Sequence, residues 1–187
     1  MPDIKEVAIG TVVHGHQEVL LGKNDRARSW VKYQSPLRYS FYGGKIRRDI
    51  GERALDAFMR ELWEESGLVA DRDSIEKVAM ILMTKHLPNG GRRFLRMHVF
   101  LAHKASGLLH RTPEMEGWRW CNQRALPHYA MLAADPEWMP QIFGGKKVIA
   151  QVEVDMYQRH LIKPVILQEV GRFPEDRPKF NECPSLV

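Results

Sequence analysis

β-branched residues at every second position, Val7, Ile9, Thr11 and Val13, predict a strand over Ile4 to Val13. Glu18 to Gly22 reads as its partner across a turn at His14, Gly15 and His16. A long polar loop from Lys23 to Arg38 leads to a short strand, Tyr39 to Tyr42, that runs into Gly43 and Gly44. From Gly51 to Ser66 the period changes: Leu55, Phe58, Met59 and Leu62 recur at three- and four-residue steps, the apolar stripe of a helix, with Gly67 as its stop. Lys77 to Thr84 and Phe94 to Ala102 predict a hairpin around Pro88, Asn89, Gly90 and Gly91, and Gly117 to Cys121 a further strand. Pro136 to Phe143 reads as a short helix, and Lys147 to Met156 with His160 to Leu167 as a second hairpin turning near Gln158. Periodicity stops at Gly171, where Pro174, Pro178 and Pro184 begin to recur. Strands mixed with two helices give an α/β domain over residues 1–170 and an irregular tail over 171–187.

A chain of 187 residues buries one core and is too short to favour two. No apolar run is long enough to cross a bilayer, and Asp3, Lys5 and Glu6 precede the first one, so neither export nor membrane insertion is expected. Cys121 and Cys183 are too few and too far apart for a disulfide framework or a metal site, which fits a cytoplasmic protein. The net charge of +5 is unevenly spread. Between Lys23 and Asp49 eight basic residues stand against two acidic ones, so this segment alone carries +6. Such a local excess suits the steering of a small anionic ligand better than a nucleic-acid footprint; a plain solvated loop is the alternative.

The helix carries the chemistry. Glu61, Glu64 and Glu65 stand at i, i+3 and i+4, so three carboxylates are expected on one face, where like charges cost about 0.2–0.5 kcal/mol per pair. Glu64 and Glu65 also occupy the last turn, which disfavours negative charge. A divalent cation would offset both penalties, and clustered hard oxygens favour Mg²⁺ or Mn²⁺ bridging protein to phosphate. A solvated acidic stripe in which Arg60 pairs with Glu64 accounts for the same spacing.

The order of residues separates these readings. Arg60-Glu61-Leu62-Trp63-Glu64-Glu65-Ser66-Gly67-Leu68 resembles the second half of the Nudix box at every specified position, and Glu52 stands eight residues before Arg60, as in that box. Ile46 takes the place of the box glycine, which is read as a two-residue insertion that leaves Gly44 as the loop glycine. The resemblance implies a Nudix α/β/α sandwich, a mixed β-sheet between helices. It further implies Glu61 and Glu65 as main metal ligands, Glu64 as ligand or proton acceptor, Arg60 as the residue orienting a glutamate, backbone at Gly44 beside metal or phosphate, and Lys45 near the phosphates. The reaction implied is water attack at phosphorus in a nucleoside diphosphate derivative.

Shorter pieces resemble the animal-type oxidised purine nucleoside triphosphatases of the MutT group, which act on 8-oxo-dGTP: Val19 to Gly22, His98 to Phe100, Glu114-Met115 before Trp118 to Trp120, and Asp135 to Pro140. On that likeness Glu114, with Glu116 as its competitor, completes the metal site or acts as base. Met115, Trp138 and Asp135 then line a base pocket. Asp135 before Pro136 also has the form of a helix N-cap, and Met115 and Trp138 serve equally well as core. Ser40 stands where the group has asparagine and Leu132 where it has a stacking tryptophan, which leaves room for a different base. The eight histidines show no ligand spacing. The expected activity is Mg²⁺-dependent hydrolysis of a nucleoside triphosphate to monophosphate and pyrophosphate. Alternatives are a nucleotide sugar, dinucleotide, dinucleoside polyphosphate or capped RNA as substrate, or a nucleotide-binding module without catalysis.

Overall fold

The chain is organised around its first strand, β1 (Ile4–His14), in a computed structural model that describes residues 4–15, 17–25, 32 and 39–174. β1 runs parallel to β7 (Arg92–Ala102), from Ile4 opposite Phe94 to Val12 opposite Ala102. On its other side it is antiparallel to β4 (Tyr42–Lys45), and at its end it turns into β2 (Glu18–Asn24). β2 in turn pairs with β3 (Tyr39–Ser40) and with β9 (Met115–Asn122). Beyond β7 the sheet continues through β6 (Ile75–His86), β10 (Val148–Asp155) and β11 (Ile166–Glu169). The β1–β7 and β6–β10 pairs are parallel and the rest antiparallel, so the sheet is mixed. A small ladder of β5 (Leu68–Ala70) and β8 (Ala105–Gly107) stands apart.

Successive residues of β7 serve opposite layers, because side chains alternate across a strand. Val99 and Leu101 join the core under helix α2 (Asp135–Phe143), with Trp138, Met139 and Ile142. Phe100 and Ala102 join the core under helix α1 (Ala54–Ser66), with Ala57, Phe58 and Leu62. One helix thus covers each face, and the expected α/β/α sandwich is observed.

Several boundaries differ from the sequence reading. The helix starts at Ala54 and not at Gly51, because Arg48–Ile50 form a separate 3₁₀ turn closed by Gly51 at φ 75° and Arg53 is extended. Tyr39 to Tyr42 is two strands on different neighbours, broken at Phe41, which is buried edge-on against Trp138. The last hairpin pairs at Ile166–Glu169, with a single bridge from Leu161 to Val154. Its turn is longer than expected because the Asp155 carboxylate accepts from the backbone N–H of Tyr157, Arg159 and His160. The remaining predicted strands and Gly67, at φ 81°, fall close to where they were expected. His16, the loop positions 26–31 and 33–38, and the tail from 175, with Cys183, Pro178 and Pro184, lie outside the described residues. Among the described residues no helix is long and apolar enough to cross a membrane.

Candidate active site

Packing fixes the rotation of α1. Its apolar stripe lies on Ala8 and Val12 of β1 and on Phe100, whose ring stacks with that of Phe58 at 5.5 Å. Glu61 and Glu65 are thereby turned toward β4. The backbone N–H of Gly43 donates to Glu65 Oε2 at 2.9 Å. Gly44 lies so close to Glu61 that a Cβ there would sit 2.4 Å from its Oε1. At Gly43, φ 149° and a Cβ only 2.2 Å from the Ala8 carbonyl exclude a side chain as well. Gly44 therefore stands beside the glutamates despite the displaced register of the loop, and Ile46 is buried in the α1 core instead.

Glu64 stays beside Glu61, where one Arg60 Nη1 donates to both carboxylates, but at the exposed edge of the face. It lies one residue before Glu65, a rotation of about 100° around the helix. Its carboxylate is exposed and paired with Arg60 at 3.0 Å and Arg47 at 3.7 Å, as the alternative of an i, i+4 ion pair required. Arg60 is the hub of the site. Its guanidinium donates to Glu52 Oε1 at 2.8 Å and Oε2 at 3.2 Å, to Glu61 Oε1 at 2.7 Å, to Glu64 Oε2 at 3.0 Å and to the Lys45 carbonyl at 3.1 Å. Hydrogen bonding to Glu52 first, and the charge of Glu61 with it, holds Arg60 protonated well above the usual guanidinium range. The same pair keeps the Glu52 carboxyl below the usual glutamate value. In the sequence, the eight-residue offset of Glu52 from Arg60 is the one signal of this pairing.

Glu65 is the exception among these carboxylates. It is 6% exposed, and burial pushes its pKa up to about 8 against the lowering effect of the Gly43 N–H. Glu61 and Glu114 raise it further by repulsion, while Lys32 opposes them. Glu114 thus lies near Glu65, whereas Glu116 is drawn away to Lys23 at 3.1 Å, which separates the two competing candidates. Among the described residues no three His, Cys, Asp or Glu side chains are already gathered into a metal cage. The described histidines form none either; both ring nitrogens of buried His98 lack partners.

Glu65 and Glu114 line a cavity of about 320 Å³ between β4, α2 and the sheet. Ser40, Lys45, Gly44, Met115, Asp135 and Trp138 all line it. Ser40 accepts a hydrogen bond from Asn24, another lining residue, at 3.0 Å. Trp138 is only 1% exposed and meets Phe41 edge-on at 5.8 Å, so it is both core and wall. Asp135 does not cap its helix. The cap position is Ala134, and the Asp135 carboxylate accepts instead from the Leu132 N–H at 3.1 Å and from Trp138. At 7% exposure, burial raises its pKa to about 7. Lys32, Phe41, Lys85 and Gln158 line the cavity as well and were not foreseen. For Lys85 the sequence did hold a signal, a charge on the otherwise apolar face of a strand after Ile81 and Met83.

A family model of the NUDIX domain matches residues 4–142, so the fold and the glutamate helix together define a Nudix hydrolase: the chain belongs to the NUDIX family. It is a pyrophosphohydrolase of the kind that acts on small nucleotide substrates, generally with divalent metals. Among solved structures, a mutator MutT protein from Bacillus halodurans matches with a TM-score of 0.69 at 22% identity, covering 87% of this chain and 97% of its own. A MutT NUDIX hydrolase from Burkholderia pseudomallei has a TM-score of 0.59 at 22% identity, with 75% and 98% covered. A MutT protein from Methanosarcina mazei has 0.55 at 15% identity, with 77% and 95% covered. These likenesses carry the fold.

Proposed function

We propose that this protein hydrolyses a nucleoside triphosphate to a monophosphate and pyrophosphate with Mg²⁺, or Mn²⁺ in its place, in the cytoplasmic nucleotide pool, and that an oxidised purine deoxynucleotide is a candidate substrate. The observation that carries the reading is the placement of buried Glu65, held by the Gly43 N–H, in the wall of an aromatic- and methionine-lined cavity that also contains Asp135. Glu65 is hard to ionise beside Glu61 and Glu114, and a divalent cation is the group that relieves such crowding; the all-oxygen donor set fits Mg²⁺. Glu61, Glu65, Glu114 and the backbone at Gly44 would hold it. Bound there, it would lower the pKa of a water and offset charge on the phosphates.

The chain's own groups supply the rest. Arg60 fixes Glu61 and Glu64 and ties the helix to β4 through the Lys45 carbonyl, leaving the Lys45 ammonium toward the cavity for the phosphates. Glu64, exposed, is the proton acceptor of this scheme. Asp135, which changes protonation near neutrality, faces ring N–H, amino or carbonyl groups of a purine. A second reading keeps the chemistry and changes the ligand to another nucleoside diphosphate derivative; Ser40 and Leu132 in the pocket favour it. The intact hub around Arg60 argues against a binding module without catalysis.

A panel of canonical and oxidised nucleoside triphosphates, nucleotide sugars and dinucleotides, incubated with Mg²⁺ and scored for pyrophosphate against inorganic phosphate, tests the proposal. Release of pyrophosphate from a triphosphate is expected. Cleavage confined to a sugar or dinucleotide derivative would remove the triphosphate assignment.

A further inference from the structure

Glu65, with Glu114 near it, lines the cavity beside Gly43, and Lys85 lines it further along the sheet. The register fixes the distance between them. Gly43 lies opposite Ile9, and Ile9 opposite Val99, in the row that faces Glu65. Six residues back along β7, Arg93 lies opposite Lys85, and Lys85 opposite Val154. At about 3.3 Å per residue the two rows are roughly 20 Å apart. The floor between them is apolar, made of Met97, Leu95 and Met83 with Val7.

Lys85 is half-buried at the far end of this floor, and its ammonium makes no hydrogen bond or ion pair to any described residue. Its amine is difficult to keep charged there: burial first, then Lys32 and Arg93, lower its pKa to about 8. The one opposing charge, Asp155, is committed to three backbone N–H groups. Lys5, opposite Leu95, adds a further cation to the same wall. An unpaired ammonium in an apolar cavity is costly unless an anion meets it.

We propose that Lys85 determines specificity by selecting substrates that carry a second negative charge remote from the scissile phosphates, on an acidic base or as a further phosphate on the nucleoside. The inference rests on the nucleotide-hydrolase reading for the identity of the ligand, but its test needs neither metal nor turnover. Two matched pairs of nucleoside monophosphates are titrated into the full chain by calorimetry, so that the common 5′-phosphate cancels. Xanthosine monophosphate, whose base is ionised at neutral pH, is compared with inosine monophosphate; adenosine 3′,5′-bisphosphate is compared with AMP. In at least one pair the more anionic member should bind about tenfold to a hundredfold more tightly, the range of one charge-assisted hydrogen bond. Lys85→Met should bring that ratio to about twofold or less, and Lys85→Arg should preserve it, with thermal denaturation confirming that both variants fold. Equal binding within both pairs, or a preference that survives in Lys85→Met, overturns the proposal. Failure of every nucleotide to be hydrolysed with Mg²⁺ would instead strike the pyrophosphohydrolase reading and leave these ratios intact.

Discussion

Helices α1 and α2 each bury one carboxylate against the same cavity, Glu65 and Asp135, at nearly equal exposure. Glu65 sits among like charges, with Glu61 and Glu114 adding to the effect of burial. No charged neighbour contributes to the shift of Asp135, which burial raises against two hydrogen bonds that it accepts. The difference separates two kinds of cost. Repulsion among carboxylates is relieved by a cation, while exclusion of water is relieved only by a proton or by a donor brought in with a ligand. Under the proposed function, the first helix would receive metal and the second a polar ring.

The sharpest way to break the comparison is Glu65→Gln, which removes charge with little change in shape. Turnover of the preferred nucleotide should fall on the order of 10³-fold, within the range of a lost acid–base or metal-binding group, while circular dichroism stays unchanged. Retained turnover in the purified variant would end the assignment of Glu65. At the other helix, Trp138→Ala should cost about 3–5 kcal/mol in denaturant unfolding, since a fully buried indole packed on Phe41 leaves a void; a loss below ~1 kcal/mol would mean that the cavity wall is not structural. Arg60→Lys keeps the charge but loses the fork that grips Glu52, so kcat should drop about 10–100-fold, as when a metal ligand loses its orienting partner. An unaltered kcat would show that the hub serves stability alone.

Asp135→Asn gives the most diagnostic effect. A carboxyl whose folded pKa is raised binds its proton more tightly in the folded state, so stability falls as pH rises from the unfolded value of about 3.9 to about 7 and is level above that. Asparagine retains an acceptor for the Leu132 N–H without this titration. The melting temperature of the variant relative to wild type should therefore climb between pH 5 and pH 7.5; a constant difference would place Asp135 in a more hydrated setting than its 7% exposure indicates.

Strong local periodicity made α1 and the long strands readable: Leu55, Phe58 and Leu62 on one stripe, and Val7, Ile9 and Thr11 in alternation. The break at Phe41 was hidden because Tyr39 to Tyr42 is uniformly strand-like, and only the change of partner from β2 to β1 interrupts it. Asp135 looked like a cap because the local signal for a cap and for a buried acceptor is the same; the choice depends on Trp138 and Leu132 folding over it. Glu64 is exposed and ion-paired while its neighbour Glu65 is buried, because Arg60 and Arg47 reach across to it, Arg47 from outside the helix. Lys85 reached the cavity through register with Arg93 and Val154, which no single segment encodes.

The central position of β1 carries a consequence for biosynthesis. β1 meets its parallel neighbour only after residues 92–102 have followed it, and β6 waits for residues 148–155. Such non-local pairing slows folding. During translation β1 and β6 remain without their full complement of neighbours, so a nascent chain stalled before residue 148 exposes the β6 edge that β10 otherwise covers.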